Sequence, residues 1–280
     1  MDSFFKDVFV INRTIDKERM KITHDILSKN DINYKRFEAI TINNNENNTN
    51  MTNEILGCGL SHLHIWDYIV SNNIKSAVIF EDDICLKEDW EKTLNIALKE
   101  LPKDWDIFTL GNTGIKFKYD KYDSPFNFIL YHIVNLLDLQ NNNYDNQSYN
   151  NITTPYFFTG TYGYAISKKG ARKLLGLINN ISFHIDALIS SHSKSLNIYS
   201  INNDIVYQRS EKSTLSVKSK QNKIHLNFFS KKDSKNVSYN YYMNIPVYKI
   251  NILNHDFIIN GWFILALCLF CIILYLYNLR

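Results

Sequence analysis

Short apolar runs alternate with longer amphipathic segments through the first two thirds of the chain. Asp7-Val8-Phe9-Val10-Ile11-Asn12 reads as a buried strand, and Asp16 to Ser28 reads as a helix, with Met20, Ile22, Ile26 and Leu27 near helical spacing. A second strand is expected over Tyr34 to Ile40, followed by an asparagine-rich surface loop from Ile42 to Met51. Gly57 to Val70 predicts a helix with Leu60, Leu63, His64 and Ile69 on one side, and Ser76 to Phe80 a strand that runs into Glu81-Asp82-Asp83. Trp90 to Leu101 continues as helix and Asp106 to Leu110 as strand. This alternation predicts an α/β fold whose sheet is predominantly parallel and covered on both faces.

From Lys116 to Thr154 the pattern dissolves into tyrosine and asparagine, which predicts an inserted loop or small subdomain over the ligand edge of the sheet. Order returns at Phe157 to Ser167. Helices are expected over Lys168 to Ile178 and Ile185 to His192, and late strands over Leu196 to Ile201 and Ile205 to Gln208. The domain therefore spans residues 1–211, with 116–154 as a variable insertion and 212–256 as a polar, lysine-rich stem.

Phe257 to Leu279 carries no charged side chain. At about 1.5 Å per residue a helix of that length crosses a hydrocarbon core of roughly 30 Å, and Trp262, Tyr275 and Tyr277 fall where aromatics settle at headgroup level. A transmembrane helix over 257–279 is the expectation. Lysines 212, 218, 220, 223, 231, 232, 235 and 249 precede the run and only Arg280 follows it. That asymmetry predicts a single-pass membrane protein with residues 1 to about 250 facing the cytoplasm. Met1 to Asp7 does not read as a signal peptide.

Composition narrows the function. With 31 basic and 28 acidic residues the formal charge is +3, too small an excess for phosphate-backbone binding, so nucleic acid is not an expected partner. Cys58 and Cys85 lie in apolar segments, and Cys268 and Cys271 in the last hydrophobic run. This is neither a disulfide framework nor a Cys-x-x-Cys zinc site flanked by histidines.

The acidic triplet carries the chemistry. Consecutive carboxylates at the end of an apolar strand repel one another and resist burial, and a divalent cation compensates both effects. Oxygen ligands suit magnesium or manganese, and a diphosphate completes their shell. Glu81 and Asp83 point the same way if the strand persists, and Asp82 the opposite way. The bland alternative is an exposed acidic turn heading a helix.

Four stretches appear in order: Val8 to Arg19 (VFVINRTIDKER), Gly57 to His62 (GCGLSH), Val78 to Asp83 (VIFEDD) and Thr161 to Leu174 (TYGYAISKKGARKL). Together, over roughly residues 7 to 215, they resemble glycosyltransferase family 25, which includes lipooligosaccharide glycosyltransferases and procollagen galactosyltransferases. The resemblance implies a GT-A type, Rossmann-like domain with a metal motif of Asp-x-Asp character. It implies transfer of a hexose, galactose or glucose, from a UDP-sugar to a hydroxyl of a glycan or protein, with manganese or magnesium and with inversion.

Carried onto this chain, the resemblance puts Asn12, Arg13 and Arg19 nearest the nucleotide, although either arginine could instead form a plain salt bridge. Asp83 becomes the direct metal ligand, Glu81 a ribose contact or a ligand acting through metal-bound water, and Asp82 a nucleotide-side contact. Ser61 and His62 follow what reads as a Gly-Cys-Gly turn at a helix start, where N–H groups are free for a phosphate or acceptor. His62 is read as a proton carrier or a structural hydrogen-bonding residue. Asp186 matches the family's later aspartate and is read as general base, as a positioning contact or as an N-cap. Two features depart from the family: the longer spacing from Glu54 to Gly57-Cys58, and the region 116–154. The rival functions are a non-catalytic membrane-tethered sugar-nucleotide-binding module and a metal-dependent hydrolase; the lack of a Gly-x-Ser-x-Gly motif weakens the second.

Overall fold

The computed structural model describes residues 4, 6–43, 51–112, 149–155, 158–209, 246–252, 255–260, 262–267 and 269–270. The first strand, β1 (Val8–Asn12), is buried along its length and leads into α1 (Lys17–Lys29) and β2 (Lys35–Glu38). Then come α2 (Asn53–Ser71), β3 (Ser76–Glu81), β4 (Ile84–Leu86), α3 (Trp90–Glu100), β5 (Ile107–Thr109) and β6 (Ile152–Thr153). The remaining elements are β7 (Gly163–Ser167), α4 (Lys168–Leu177), α5 (Ile185–Ser191), β8 (Ile198–Ile201), β9 (Val206–Gln208), β10 (Pro246–Ile252) and β11 (His255–Asn260).

Seven strands form one sheet in the order β2-β1-β3-β7-β5-β8-β6. The expected α/β layering is present, but the sheet is mixed rather than predominantly parallel. β1 is parallel to β2 and β3, and β5 to β8, whereas β7 runs antiparallel between β3 and β5, and β6 antiparallel to β8. Continuous apolar runs such as Val8 to Ile11 report burial on both faces and say nothing of strand direction. β6, at the end of the expected insertion, closes one edge of the sheet.

Side chains alternate between two cores as strand geometry requires. Phe9, Ile11, Ile79, Tyr164 and Ile166 face one core with Ile65, Trp66 and Ile69 of α2, Leu174 of α4, and Leu188 and Ile189 of α5. Val8, Val10, Val78, Phe80 and Ala165 face the other with Leu27 of α1 and Trp90, Leu94 and Ala97 of α3. This arrangement delivers the ends of β1 and β3 side by side, with Ile11 level with Glu81.

The Gly-Cys-Gly segment corrects an expectation. α2 starts at Asn53, capped by the Thr52 side chain, so Gly57, Cys58 and Gly59 lie inside the helix and their N–H groups are not those of a helix start. The glycines serve packing instead. A Cβ at 57 would strike the Ile40 carbonyl oxygen, and one at 59 would sit 2.7 Å from Ile181 Cγ2. Ser61 Oγ locks the same contact, donating to Gly57 O at 2.7 Å and accepting from Ile40 N at 2.8 Å.

The C-terminal expectation also changes. β11 occupies residues 257–260, where the transmembrane helix was to begin; β10 and β11 pair antiparallel across what was read as the end of the polar stem. A short run of consecutive apolar residues, Phe257 to Ile259, serves a strand as well as the start of a span, which hydropathy alone does not separate. Residues 262–267 and 269–270 are helical. Among the described residues no helix is long and apolar enough to cross a membrane. Residues 113–148, 210–245 and 271–280 lie outside the described set, and with them most of the expected insertion, most of the stem and the end of the expected span.

Gly57→Ala should destabilise the fold by about 1–3 kcal/mol through overpacking. Gly176→Ala in α4, where an added Cβ meets nothing within 4 Å, should instead gain up to about 1 kcal/mol from helix propensity. Urea midpoints of the two variants check the opposite signs; stabilisation by both would contradict the packing role of Gly57.

Candidate active site

The site is built where β3 runs out. Glu81 is the last residue of the strand, while Asp82 and Asp83 form a turn before β4. The chain direction therefore changes after Glu81, and the two aspartates do not alternate as in a continuing strand. Both meet one cation: Arg19 of α1 lies 2.5 Å from Asp82 Oδ1 and 3.0 Å from Asp83 Oδ2. Burial works against the Arg19 charge, but Asp82, Asp83 and Asp16 outweigh it and hold its pKa above the ordinary value.

Asp82 is committed inward. Its Oδ1 accepts from Arg19 Nε at 2.8 Å and its Oδ2 from Asn12 Nδ2 at 2.7 Å. Asn12 in turn accepts from Arg36 Nε through Oδ1 at 2.8 Å. These contacts join β1, β2, α1 and the acidic turn in one network. Arg13 stands apart from it, donating to Asp16 at 2.5 Å.

Asp83 is left with unfinished chemistry. Gln208 donates to its Oδ2 at 2.8 Å, while Oδ1 is buried and has no hydrogen-bond partner among the described residues. Burial and the neighbouring Glu81 charge push its carboxyl up to about 6, against the pull of Arg19. Glu81 moves the other way. Burial disfavours its charge, but His62, a 2.8 Å hydrogen bond from Thr161 Oγ1 and Arg19 together hold it below the ordinary carboxylate range. Its side chain remains 24% exposed, which opens the site to ligand.

A strap from far along the chain fixes the turn. β9 pairs with β4, and Arg209 N donates to Asp83 O at 2.7 Å. The Arg209 guanidinium donates to the carbonyls of Asp82 (2.8 Å), Ile84 (3.1 Å) and Arg19 (3.3 Å). Sequence reasoning gave Gln208 only a place in a late strand and Arg209 no role, because their site partners lie 125 to 190 residues earlier and no local pattern marks them.

His62 is fully buried beneath Glu81. Its Nδ1 lies 2.9 Å from the Tyr164 hydroxyl, which also accepts from Trp66 Nε1 at 2.9 Å. Its Nε2 has no hydrogen-bond partner among the described residues and lies 3.9 Å from Glu81 Oε1. Asp186, in the first turn of α5, accepts from Gly160 N at 3.0 Å and from Ala187 N at 2.8 Å. The first contact pins Gly160 at φ 90°, a conformation that suits glycine. The N-cap of α5 is His184 rather than Asp186. Burial, followed by the charges of Glu81, Asp186 and Asp83, pushes the Cys58 thiol well above its ordinary range, so these acids share one neighbourhood with Cys58.

The description "Glycosyltransferase family 25 (LPS biosynthesis protein)" belongs to the family model that matches residues 5–189, about two thirds of the chain. This chain belongs to glycosyltransferase family 25. It is similar to procollagen galactosyltransferase 1-A of Xenopus laevis, 27% identical over 196 residues that cover 61% of this chain and 28% of that protein. It is also similar to a putative glycosyltransferase of Haemophilus influenzae, 26% identical over 196 residues, covering 65% of this chain and 61% of that protein. The chain thus spans little more than a quarter of the first relative and under two thirds of the second. Among solved structures, a galactosyltransferase in complex with donor and acceptor sugar analogues aligns with a TM-score of 0.36 and 8% identity, covering 69% of this chain and 72% of that one.

In metal-free protein the raised carboxyl of Asp83 makes stability fall as pH rises. Between its ordinary value of 3.8 and about 6 the folded state holds a proton that the unfolded chain has released. Asp83→Asn should therefore gain on the wild type across that interval, by up to about 3 kcal/mol, and hold a constant lead at higher pH. Urea melts of both proteins as a function of pH check this; a lead that shrinks with rising pH would contradict it.

Proposed function

We propose that the protein is a GT-A type glycosyltransferase that moves a hexose, galactose or glucose, from a UDP-sugar to a hydroxyl of a glycan or protein, with inversion and with manganese or magnesium. The observation that carries this reading is the unpaired buried oxygen of Asp83, beside Glu81, at the strand end where a nucleotide diphosphate is expected. The donor set fits a hard divalent cation: Asp83 Oδ1 is free, Glu81 is ionised and partly open, and the two charges repel until a cation joins them. Asp83 would hold the ion directly and Glu81 directly or through water. When bound, the ion neutralises charge developing on the departing diphosphate.

The chain's own residues do the rest. Asn12, Arg13 and Arg19, at and after the end of β1, are assigned to the nucleotide. Asp82 acts on that side by holding Arg19 and Asn12 in place. Asp186 is assigned as base: as the acceptor oxygen bonds to the anomeric carbon, its proton passes to the Asp186 carboxylate, and the bond to the diphosphate breaks with its electron pair. Backbone N–H groups of Gly160 and Ala187 keep that carboxylate oriented. His62 supports the ionised form of Glu81.

A second reading, a non-catalytic sugar-nucleotide-binding module, draws support from the same contacts, because Asp82 and Asp186 both spend oxygens on internal partners. Incubating the protein with UDP- and GDP-sugars, with and without manganese, separates the two. Metal-dependent hydrolysis of one donor in the absence of acceptor is expected, and its absence across the panel favours the module. Asp83→Ala should abolish turnover. Asp186→Asn should lower kcat by about 10²–10⁴-fold with donor affinity retained; normal kcat in that variant would remove Asp186 from the base role.

Membrane attachment with the transferase facing the cytoplasm is also part of the proposal, and it rests on the part of the charge-free run that follows β11, residues 261–279. The full chain should resist carbonate extraction, and deletion from residue 261 should release it. Extraction of the full chain by carbonate alone would contradict the anchor.

A further inference from the structure

Glu81 also belongs to a second ligand set, whose sulfur and nitrogen donors the proposed transfer reaction does not use as ligands. Cys58 and His62 are four residues apart on α2, so their side chains rise on one face of the helix, and the end of β3 sets Glu81 opposite them. One ligand atom from each, the thiol sulfur, an imidazole nitrogen and a carboxylate oxygen, lies within 4.8 Å of the other two. His62 is the buried member: Nε2 faces Glu81 Oε1 across 3.9 Å and makes no hydrogen bond. An imidazole nitrogen buried without a partner is costly, and a positive ion placed between it and a carboxylate removes that cost.

We infer that Cys58, His62 and Glu81 form a binding site for a thiophilic divalent cation of the zinc or cobalt class, which shares Glu81 with the oxygen site at Asp83 and adds sulfur and nitrogen donors. A sulfur, nitrogen and oxygen set is the donor mixture that such ions favour and that magnesium and calcium avoid. Bonds of about 2.0–2.3 Å draw the three atoms inward by roughly an ångström and leave a fourth position on the open side of Glu81. The Cys58 proton leaves for solvent as the thiolate forms. His62 binds through Nε2 while Nδ1–H donates to the Tyr164 hydroxyl, whose oxygen has a second lone pair besides the one used by Trp66. The negative surroundings supplied by Glu81, Asp83 and Asp186 draw a cation to this spot.

One consequence rests on the proposed transferase reading. Glu81 cannot serve both ions fully, so zinc inhibits manganese-supported transfer by withdrawing Glu81 from the donor site.

Titration of the full chain with Co²⁺ alone tests the site without any assay of transfer. The expected result is one ion per chain with a near-ultraviolet thiolate-to-cobalt band, displaced by Zn²⁺, retained in Asp83→Asn and lost in Cys58→Ser. Tyr164→Phe should weaken binding by about 10–100-fold while keeping the band. Should Cys58→Ser fail to fold by circular dichroism, protection of Cys58 from alkylation by Zn²⁺ in the wild type, mapped by mass spectrometry, replaces it. Absence of the thiolate band, or its survival in Cys58→Ser, overturns the inference. A band without manganese-dependent donor turnover would sink the transferase reading alone, and turnover without a band would sink the cation site alone.

Discussion

Three carboxylates at the end of one strand need positive charge beside them, and the described residues supply less than they require. Arg19 satisfies Asp82 and one oxygen of Asp83; Arg209 spends its guanidinium on main-chain carbonyls and so fixes the turn rather than neutralising it. The other Asp83 oxygen is left buried and unpaired, with a carboxyl raised to about 6. In a folded domain such a deficit is destabilising, and it persists here because neighbouring elements fix the geometry on every side. The parallel pairing of β1 with β3 sets Asn12 and Arg19 against Asp82, the β4–β9 pair brings Gln208 to Asp83, and Thr161 holds Glu81.

That frame divides labour among residues of the same type. Asp82 is structural in its contacts, Asp83 is short of partners, and Glu81 stays ionised because His62, Thr161 and Arg19 outweigh its burial. Environment thus pushes the carboxyls of Glu81 and Asp83 in opposite directions and leaves Asp82 as the one committed to internal contacts. The two proposed cation sites divide along the same line, with oxygen donors on the Asp83 side and sulfur and nitrogen donors on α2, and Glu81 is common to both proposals.

Much of this was legible in the sequence, and the gaps have physical causes. Apart from β4 and the first turn of α2, strand and helix positions through Leu110 followed from hydrophobic period, as did the discharge of β3 into acids, because burial on both faces leaves a strong local signature. Strand direction left none, so the antiparallel β7 at the centre of the sheet was missed. Gly57 and Gly59 read as a turn because glycine signals local backbone freedom more often than close helix packing, and the contacts with Ile40 and Ile181 that explain them are tertiary. Arg209 was invisible for the same reason: its guanidinium donates to main-chain carbonyls and the Thr23 hydroxyl, all far away in sequence. The charge-free run after Asp256 read as one helix, whereas a hairpin takes its first residues.

The central claim is that the unpaired Asp83 oxygen awaits a cation shared with a diphosphate. Calorimetric titration of the protein with UDP, in the presence and absence of manganese, tests it most directly. At least tenfold tighter binding with the metal is predicted, with that difference lost in Asp83→Asn. Equal affinity with and without manganese in the wild type would contradict the account.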